Sequence, residues 1–218
     1  LSAPGCRPRT RSEIVQHAIP VGGFCAEVLS DIGRFGAMVI GPGLGREDQT
    51  LSAVHACIGE APVPLVVDGD ALFAASWSGN GPGPLFRDRD VATVLTPHDG
   101  EFGLLTGRRP GDDRIAATRA AAAEFDSTLL LKGPTTVVAS PGGRVLLVDR
   151  GDQRLATAGS GDVLAGLIGA GLAAGVEPSD AAAAAAWLHG AAAALGPDEG
   201  LLAGDIVDLI PQAVGALR

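Results

Sequence analysis

AMVIGPGLG, residues 37–45, joins a short apolar run to a glycine-rich turn. Four consecutive apolar residues are typical of a buried strand, and the glycines allow a tight turn where that strand ends. PLVVDGDAL, residues 64–72, repeats the arrangement with Asp68, Gly69 and Asp70 at the end of the run. A helical pattern follows each turn, so both stretches predict a strand–turn–helix unit. Units of this kind build parallel sheets whose faces are covered by helices.

The rest of the chain continues the alternation of strands and helices. Residues 1–23 lack a clear period and predict a loop with one short strand near Ile14–Ile19, and residues 78–84 predict a flexible loop. We therefore predict an α/β fold, a single domain over residues 1–218, with a mostly parallel sheet covered by helices on both faces. Strands are expected at residues 37–40, 65–67, 91–95, 128–131, 136–139 and 144–148, and helices at 48–58, 71–77, 112–124, 162–174, 179–194 and 206–217, with another helix carrying Glu101.

Four unusual turns are predicted at one edge of this sheet. They occupy residues 41–45, 68–70, 96–101 and 132–136, each directly after a predicted strand. Ligands of parallel α/β sheets bind beyond the carboxyl ends of the strands, so these turns predict a single site. A fifth turn, residues 158–161, belongs to that site only if the chain returns to the same edge.

Composition limits the partners of the chain. It has 218 residues, a net charge of −9 and 4% aromatic residues, and no basic stripe offsets the acidity. We therefore expect no nucleic-acid partner. We also expect no membrane span, because the apolar runs are broken by charged residues. A small phosphorylated ligand remains compatible with the charge, since backbone N–H groups at helix starts can bind phosphate.

The three cysteines, Cys6, Cys25 and Cys57, show no CxxC spacing and are odd in number. This pattern disfavours a disulfide framework or a zinc site. It favours a reducing compartment, and we expect a cytoplasmic protein.

AGSGD, residues 158–162, places a carboxylate at the start of a predicted helix. In one interpretation the glycines allow a tight turn and Asp162 caps the helix. In the other, the backbone N–H groups of Gly159, Ser160 and Gly161 surround phosphate oxygens, and Asp162 takes a proton from an attacking hydroxyl. A base beside a phosphate site is chemically sensible, because the nucleophile must lie in line with the phosphorus atom.

Two further turns carry charged residues, each with two interpretations. In LTPHDGEF, residues 95–102, Glu101 either stabilises a helix N-terminus or holds waters around Mg²⁺, and His98 lies on a turn suited to a polar ligand. In LKGPTT, residues 131–136, Lys132 is either a solvated charge or a contact to nucleotide phosphate or ribose. Outside these turns, we expect Asp70 to cap the helix at Ala71, Asp68 to face the cleft, and His189 to serve packing or an interface.

Taken in order, GPGLG, VVDGDAL, LTPHDGEF, LKGPTTVV and TAGSGDVLAGLIGA resemble the ADP/ATP-dependent NAD(P)H-hydrate dehydratases of the ribokinase-like superfamily. These enzymes form the carboxy-terminal domain of bifunctional nicotinamide-nucleotide repair enzymes. The resemblance covers residues 37–194 and is specific in combination. It implies a ribokinase-like fold and the dehydration of NADHX or NADPHX, the hydrated cofactors, with ADP or ATP as co-substrate. The implied route is phosphorylation of the ring hydroxyl followed by elimination of phosphate.

The resemblance also assigns roles to residues of this sequence. Asp162 matches the acidic residue beside the substrate hydroxyl and is the implied base, and Glu101 joins a network of Mg²⁺ and water. The implied substrate contacts are Gly43, Gly45, His98 and Asp162. The implied nucleotide contacts are Lys132, Gly133, Pro134, Thr135, Thr136, Gly159, Ser160 and Gly161.

Two departures from the family pattern stand out. The family often has His-Pro-Gly-Glu where this chain has an acid, Asp99, after His98. An extra acid is unfavourable beside a phosphate site unless it points away. The family also begins with a glycine-rich segment that this sequence does not match, so we expect roughly sixty residues, two to three β-α units with the N-terminal strands, to be absent.

Two other functions compete with the dehydratase hypothesis. One is a ribokinase-like small-metabolite kinase acting on a vitamin precursor, and the other is a catalytically silent nucleotide-binding module. The resemblance further implies a homo-oligomer, in which the alanine-rich helix at 179–194 packs against a neighbour, and an epimerase domain or partner.

Overall fold

The computed structural model describes Ile19 and residues 24–217. In this part of the chain six strands form one sheet in chain order: β1 (Met38–Ile40), β2 (Leu65–Val67), β3 (Thr93–Leu95), β4 (Thr128–Leu131), β5 (Thr136–Ala139) and β6 (Val145–Val148). Strands β1 to β4 pair in parallel, and β5 and β6 continue the sheet antiparallel. The predicted α/β fold with a mostly parallel sheet is confirmed.

Helices connect and flank the strands. Within the described residues there are nine α-helices and two short 3₁₀ segments, the latter at Ile32–Arg34 and Gln153–Ala156. The α-helices are α1 (Phe24–Asp31), α2 (Asp48–Glu60), α3 (Asp70–Ser76), α4 (Pro82–Arg87), α5 (Asp99–Thr106), α6 (Arg114–Phe125), α7 (Ser160–Ala173), α8 (Pro178–Ala193) and α9 (Ala203–Gly215).

The sheet is buried between two helical layers. Successive side chains of a strand point to opposite faces. In β4, Leu129 and Leu131 enter the core shared with helices α2 to α6, whereas Leu130 enters the core shared with α7 and α8. Helix α9 packs against α7 and α8 around a third apolar cluster. Helices therefore cover both faces, as predicted.

Parallel pairing brings the carboxyl ends of β1 to β4 to one edge of the sheet. The turns beyond these ends are joined to one another by backbone hydrogen bonds. The Thr96 N–H donates to the Val67 carbonyl at 3.2 Å, and the Lys132 N–H donates to the Pro97 carbonyl at 2.9 Å. The predicted grouping of the four turns at one edge is confirmed.

Several local predictions were wrong or incomplete. The predicted loop at 78–84 ends early, because Pro82 begins α4 at a helical position that tolerates proline and Phe86 anchors the helix in the core. Helix α1 and the 3₁₀ segment Gln153–Ala156 were not predicted. The strand expected near Ile14–Ile19 lies, except for Ile19, outside the described residues.

The predicted cap at Asp70 was also wrong. The residue before α3 is Gly69, and it offers no side chain to cap the helix. The Asp70 carboxylate instead accepts hydrogen bonds from the Gly45 N–H at 3.0 Å and from Arg46 Nε at 2.9 Å. Asp70 therefore holds the glycine-rich turn after β1 in place.

Helix α8 packs inside the protomer. Ten of its residues are buried, and it contacts α7, α9 and four strands of the sheet. Its small side chains thus serve internal packing, and the oligomeric state stays a prediction. None of the helices in the described residues combines the length and the apolarity needed to cross a membrane.

Candidate active site

An ion pair joins the ends of β2 and β4. Lys132 Nζ donates to Asp68 Oδ1 at 2.6 Å, and the Thr96 hydroxyl donates to the same oxygen at 2.8 Å. The Asp68 side chain is 4% exposed and that of Lys132 is 24% exposed. The buried carboxylate orients the ammonium group, and both lie at the predicted edge. Lys132 is also the only lysine of the chain.

The glycine-rich turn before α7 returns to this ion pair. Gly159 precedes the helix with a φ of +86°, a left-handed conformation that favours glycine. A Cβ placed on Gly161 would lie 3.5 Å from Lys132 Nζ and 3.8 Å from Asp68 Oδ2. The absent side chain at Gly161 therefore leaves the ammonium group and the second carboxylate oxygen accessible from the turn.

The N-terminus of α7 is suited to an anion, although Ser160 contributes less than expected. The Ser160 N–H donates to the Thr157 carbonyl at 3.2 Å, and its hydroxyl donates to the Leu155 carbonyl at 2.5 Å. These bonds fix the turn. Within the described residues, the N–H groups of Gly161 and Asp162, and that of the preceding Gly159, have no protein acceptor, so these donors remain for a ligand.

Asp162 is an exposed carboxylate in the first turn of α7. Partial loss of solvent around the group raises its pKa, the negative charge of Asp68 raises it further, and the positive charge of Lys132 lowers it. Asp162 is therefore a stronger proton acceptor, once ionised, than an isolated aspartate. Perturbed carboxylates of this kind cluster at functional sites.

A cavity of about 480 Å³ opens beside the turn. Six of the eight residues predicted to bind nucleotide line the cavity, and Thr135 and Gly159 do not. The six are Lys132, Gly133, Pro134, Thr136, Ser160 and Gly161. The rest of its wall comes from residues 150–153, 155 and 156 and from α7 and α8. The predicted substrate contacts Gly43, Gly45, His98 and Asp162 do not line this cavity, although Asp162 directly follows the lining residue Gly161.

His189 on α8 lines the cavity, although the sequence indicated packing or an interface. It is 5% exposed, and its Nε2 has no hydrogen-bond partner among the described residues. The pKa of His189 is lowered to about 4, mainly by burial; a hydrogen bond with the backbone of Ser160 opposes the shift, and the charge of Lys132 adds to it. One feature of the sequence could have indicated that His189 is buried. It lies three and four residues after Ala186 and Ala185, on the apolar face of α8.

The buried His189 makes the stability of the protein sensitive to acid. In the unfolded chain the His189 side chain takes up a proton near pH 6.5, whereas in the folded protein it stays neutral down to about pH 4. Stability contributed by the neutral ring is therefore lost as pH falls through this interval, by about 3 kcal/mol in total. Urea unfolding of the wild type and His189→Gln across the interval measures it. A wild-type profile parallel to that of the variant would contradict the assignment.

His98 and Glu101 form a capping box at the start of α5. His98 Nδ1 accepts from the N–H groups of Gly100 and Glu101, and Glu101 Oε2 accepts from the His98 N–H at 2.9 Å. The first interpretation of Glu101, stabilisation of a helix N-terminus, is thus present in the structure. His98 Nε2 faces Glu101 Oε1 at 3.5 Å, and the exposed ring remains accessible to a ligand.

The glycine-rich turn after β1 packs against the end of β2. A Cβ on Gly41 would lie 1.7 Å from the Asp68 carbonyl oxygen, so only glycine fits there. Gly43 and Gly45 follow with φ values of +68° and +86°. This close packing places the turn beside Asp68 at the sheet edge.

The extra acid, Asp99, points to a cation. Arg114 Nη1 of α6 donates to Asp99 Oδ1 at 2.7 Å. Sequence analysis could not find this pair, because its partners are 15 residues apart on different helices. The charge of Asp99 is therefore balanced locally.

The sequence profile of the NAD(P)H-hydrate dehydratase family matches residues 10–212. The chain belongs to this family. The NAD(P)H-hydrate dehydratase family thus accounts for the five motifs at the sheet edge, and the predicted membership is confirmed.

Relatives of known name support the family assignment. The bifunctional NAD(P)H-hydrate repair enzyme of Mycobacterium leprae is 46% identical over 163 residues, covering 75% of this chain and 33% of that protein. The ADP-dependent (S)-NAD(P)H-hydrate dehydratase of Neisseria meningitidis is 41% identical over 184 residues, covering 78% of this chain and 60% of that protein. The chain therefore spans about a third of the length of the bifunctional relatives it matches.

Solved structures agree with the fold. The ADP/ATP-dependent NAD(P)H-hydrate dehydratase from Bacillus subtilis, co-crystallised with ATP and Mg²⁺ and soaked with CoA, is 32% identical with a TM-score of 0.74. The match covers 84% of this chain and 67% of that structure. A ribokinase-like superfamily protein from Enterococcus faecalis, 23% identical with a TM-score of 0.71 over 87% of this chain and 66% of that structure, shares the fold. The predicted ribokinase-like fold is confirmed.

Proposed function

We propose that this chain converts hydrated NADH or NADPH back to the reduced cofactor, using ADP or ATP as phosphoryl donor. The observation that carries the proposal is the position of Asp162. Its carboxylate lies in the first turn of α7, where two backbone N–H groups are free, and it interacts electrostatically with both Lys132 and Asp68. A proton acceptor beside an anion site is the arrangement that phosphoryl transfer to a hydroxyl requires.

The cavity beside the turn is the proposed nucleotide site. Its volume of about 480 Å³ is within the range of small-molecule sites. The terminal phosphate would lie at the N-terminus of α7, near the N–H groups of Gly161 and Asp162 and the ammonium group of Lys132. Residues 133–136 would contact the rest of the nucleotide, and Gly159 and Ser160 would shape the turn.

Asp162 would start the reaction by accepting the proton of the ring hydroxyl. The hydroxyl oxygen then forms a bond to the terminal phosphorus of ADP, and the bond between that phosphorus and the bridging oxygen breaks to release AMP. The phosphorylated ring next loses phosphate, as a proton leaves the neighbouring carbon and the ring double bond is restored. One hydrated cofactor and one ADP thus give one reduced cofactor, one AMP and one phosphate.

The opposite side of the edge would hold the hydrated dinucleotide. Gly43, Gly45 and the exposed ring of His98 are the proposed contacts. Glycines at positive φ let a ligand approach the backbone closely. The cap formed with Glu101 would orient the His98 ring toward the ligand.

A divalent cation such as Mg²⁺ fits this site as a companion of the nucleotide. Among the described residues no group of three or more His, Cys, Asp or Glu side chains could hold a metal alone. Mg²⁺ usually binds through one or two carboxylates together with phosphate oxygens and waters. Asp68 Oδ2 is the carboxylate oxygen we propose for it, with Glu101 reaching it through water. The ion would neutralise phosphate charge when bound.

The proposed function is tested by recovery of the reduced cofactor. Purified chain is supplied with hydrated NADH or hydrated NADPH, Mg²⁺ and either ADP, ATP or no nucleotide, and the absorbance of the reduced ring is followed. We expect recovery only when nucleotide is present. A chain that binds ADP yet gives no recovery with either nucleotide would contradict the proposed function and leave a nucleotide-binding module.

A further inference from the structure

Arg114 connects two sides of the candidate site through its guanidinium group. Its Nη1 donates to Asp99 Oδ1 at 2.7 Å, and its Nη2 donates to the backbone carbonyl of Lys132 at 2.8 Å. Asp99 follows His98, a proposed contact to the hydrated dinucleotide. Lys132 begins the segment proposed to bind nucleotide. One side chain of α6 therefore spans the start of α5 and the end of β4.

All three polar groups of Lys132 have partners in the described structure. Its N–H donates to the Pro97 carbonyl at 2.9 Å, its carbonyl accepts from Arg114, and its ammonium group donates to Asp68 at 2.6 Å. The bond from the N–H fixes the start of the Lys132 backbone, and the bond from the ammonium group fixes its side chain. The bond from Arg114 fixes the carbonyl, and hence the direction in which the chain leaves toward Gly133.

The guanidinium group also packs directly against the next residue. A Cβ on Gly133 would lie 2.6 Å from Arg114 Nη2, so the glycine allows the arginine to lie against the backbone. The Arg114 side chain is 24% exposed, and its Nε is buried without a hydrogen-bond partner among the described residues. Its orientation therefore depends on the bonds to Asp99 and to the Lys132 carbonyl.

We propose that Arg114, oriented by Asp99, is a positioning residue that holds the nucleotide-binding segment 132–136 in its binding conformation. The proposal rests on the proposed nucleotide site. A segment that is already ordered loses less conformational entropy when a ligand binds. The pair therefore acts on nucleotide affinity, while the proton acceptor Asp162 and the rate of the bound complex are left unchanged.

Arg114→Gln tests the proposal directly. We expect the Kd for ADP, measured by calorimetry, to rise about tenfold, as for the loss of one hydrogen bond from a charged donor. The KM for ADP rises in parallel and kcat stays within about twofold, because the bound complex is unchanged. Arg119→Gln is the matched control, since it removes an exposed cation from the same helix, and it should leave all three values unchanged.

Asp99→Asn and the double variant separate positioning from a general effect on folding. Asp99→Asn should raise the Kd about threefold, because the pair is partly exposed and its ionic part is weak. In the double variant the effects should not add, since both substitutions disturb one contact. Arg114→Lys, which keeps the positive charge, should recover part of the affinity.

Three results would overturn the proposal. The first is an unchanged Kd in both Arg114→Gln and Arg114→Lys, and the second is a fall in kcat with an unchanged Kd. Strict additivity of the Asp99 and Arg114 effects would equally overturn it. Failure of the proposed function is distinguishable, because calorimetry with ADP needs no turnover. A wild type that binds ADP without dehydrating its substrate overturns the function, while the affinities of the variants still decide the role of Arg114.

Discussion

Replacing Asp162 by asparagine is expected to lower kcat by about 10²–10⁴-fold while the Kd for ADP changes by less than about threefold. The amide keeps the size of the carboxylate and cannot accept the hydroxyl proton. Asp162 is exposed and makes no side-chain hydrogen bond in the described residues, so the fold should tolerate the change. Steady-state rates give kcat, and calorimetry with ADP gives the Kd.

The pH dependence gives an independent test of the same residue. The pKa of Asp162 is raised, so the carboxylate becomes protonated, and inactive as a base, at a higher pH than an isolated aspartate. The wild type should therefore lose activity on the acid side, and the residual activity of Asp162→Asn should lack that limb. Asp90→Asn, an exposed aspartate before β3 at the opposite edge, is the control. A variant at Asp162 that keeps most of the rate would exclude it as the base.

Lys132→Met is expected to reduce both stability and nucleotide binding. Removing the ammonium group leaves the buried Asp68 carboxylate without its cation, at a cost of about 3 kcal/mol, the lower end of the range because Lys132 is partly exposed. The Kd for ADP should rise about 10–100-fold, since a charged donor to phosphate is lost. Urea unfolding and calorimetry measure the two effects.

Adding Asp68→Asn to Lys132→Met separates these effects. The asparagine removes the unpaired charge and keeps an oxygen that can accept from the Thr96 hydroxyl, so stability should return to within about 1 kcal/mol of the wild type. Affinity for ADP should stay low. Because Lys132 is the only lysine, reductive methylation of the wild type reports on this one side-chain amine, and ADP should protect it. Stability and affinity that recover together would contradict a direct contact between Lys132 and the nucleotide.

The central strands were predictable because burial leaves a simple pattern. β2, β4 and β5 match their predicted bounds, since each is an uninterrupted run that ends directly before a serine or a charged residue. Helix α4 was missed because glycine and proline dominate its first turn. The decisive contact of that helix, Phe86 against Phe125, joins residues that are distant in sequence.

The candidate site was predictable only in part, because its decisive contacts also join residues that are distant in sequence. The glycine turn, Lys132 and Asp162 could be found because their residue types are unusual at strand and helix ends. The partners that set their chemistry come from elsewhere: Asp68 lies 64 residues before Lys132, and His189 enters from α8. Asp70 and Asp99 received wrong or incomplete interpretations because their partners, Arg46 and Arg114, lie on other elements.

The most direct test of the account is the stoichiometry of one reaction mixture. The chain is incubated with hydrated NADH, ADP and Mg²⁺, and reduced cofactor, AMP and phosphate are measured at successive times. The account predicts that the three products appear in equal amounts, and that with Asp162→Asn all three appear at least about 10²-fold more slowly. Reduced cofactor formed without consumption of nucleotide, or AMP formed without reduced cofactor, would contradict phosphoryl transfer at Asp162.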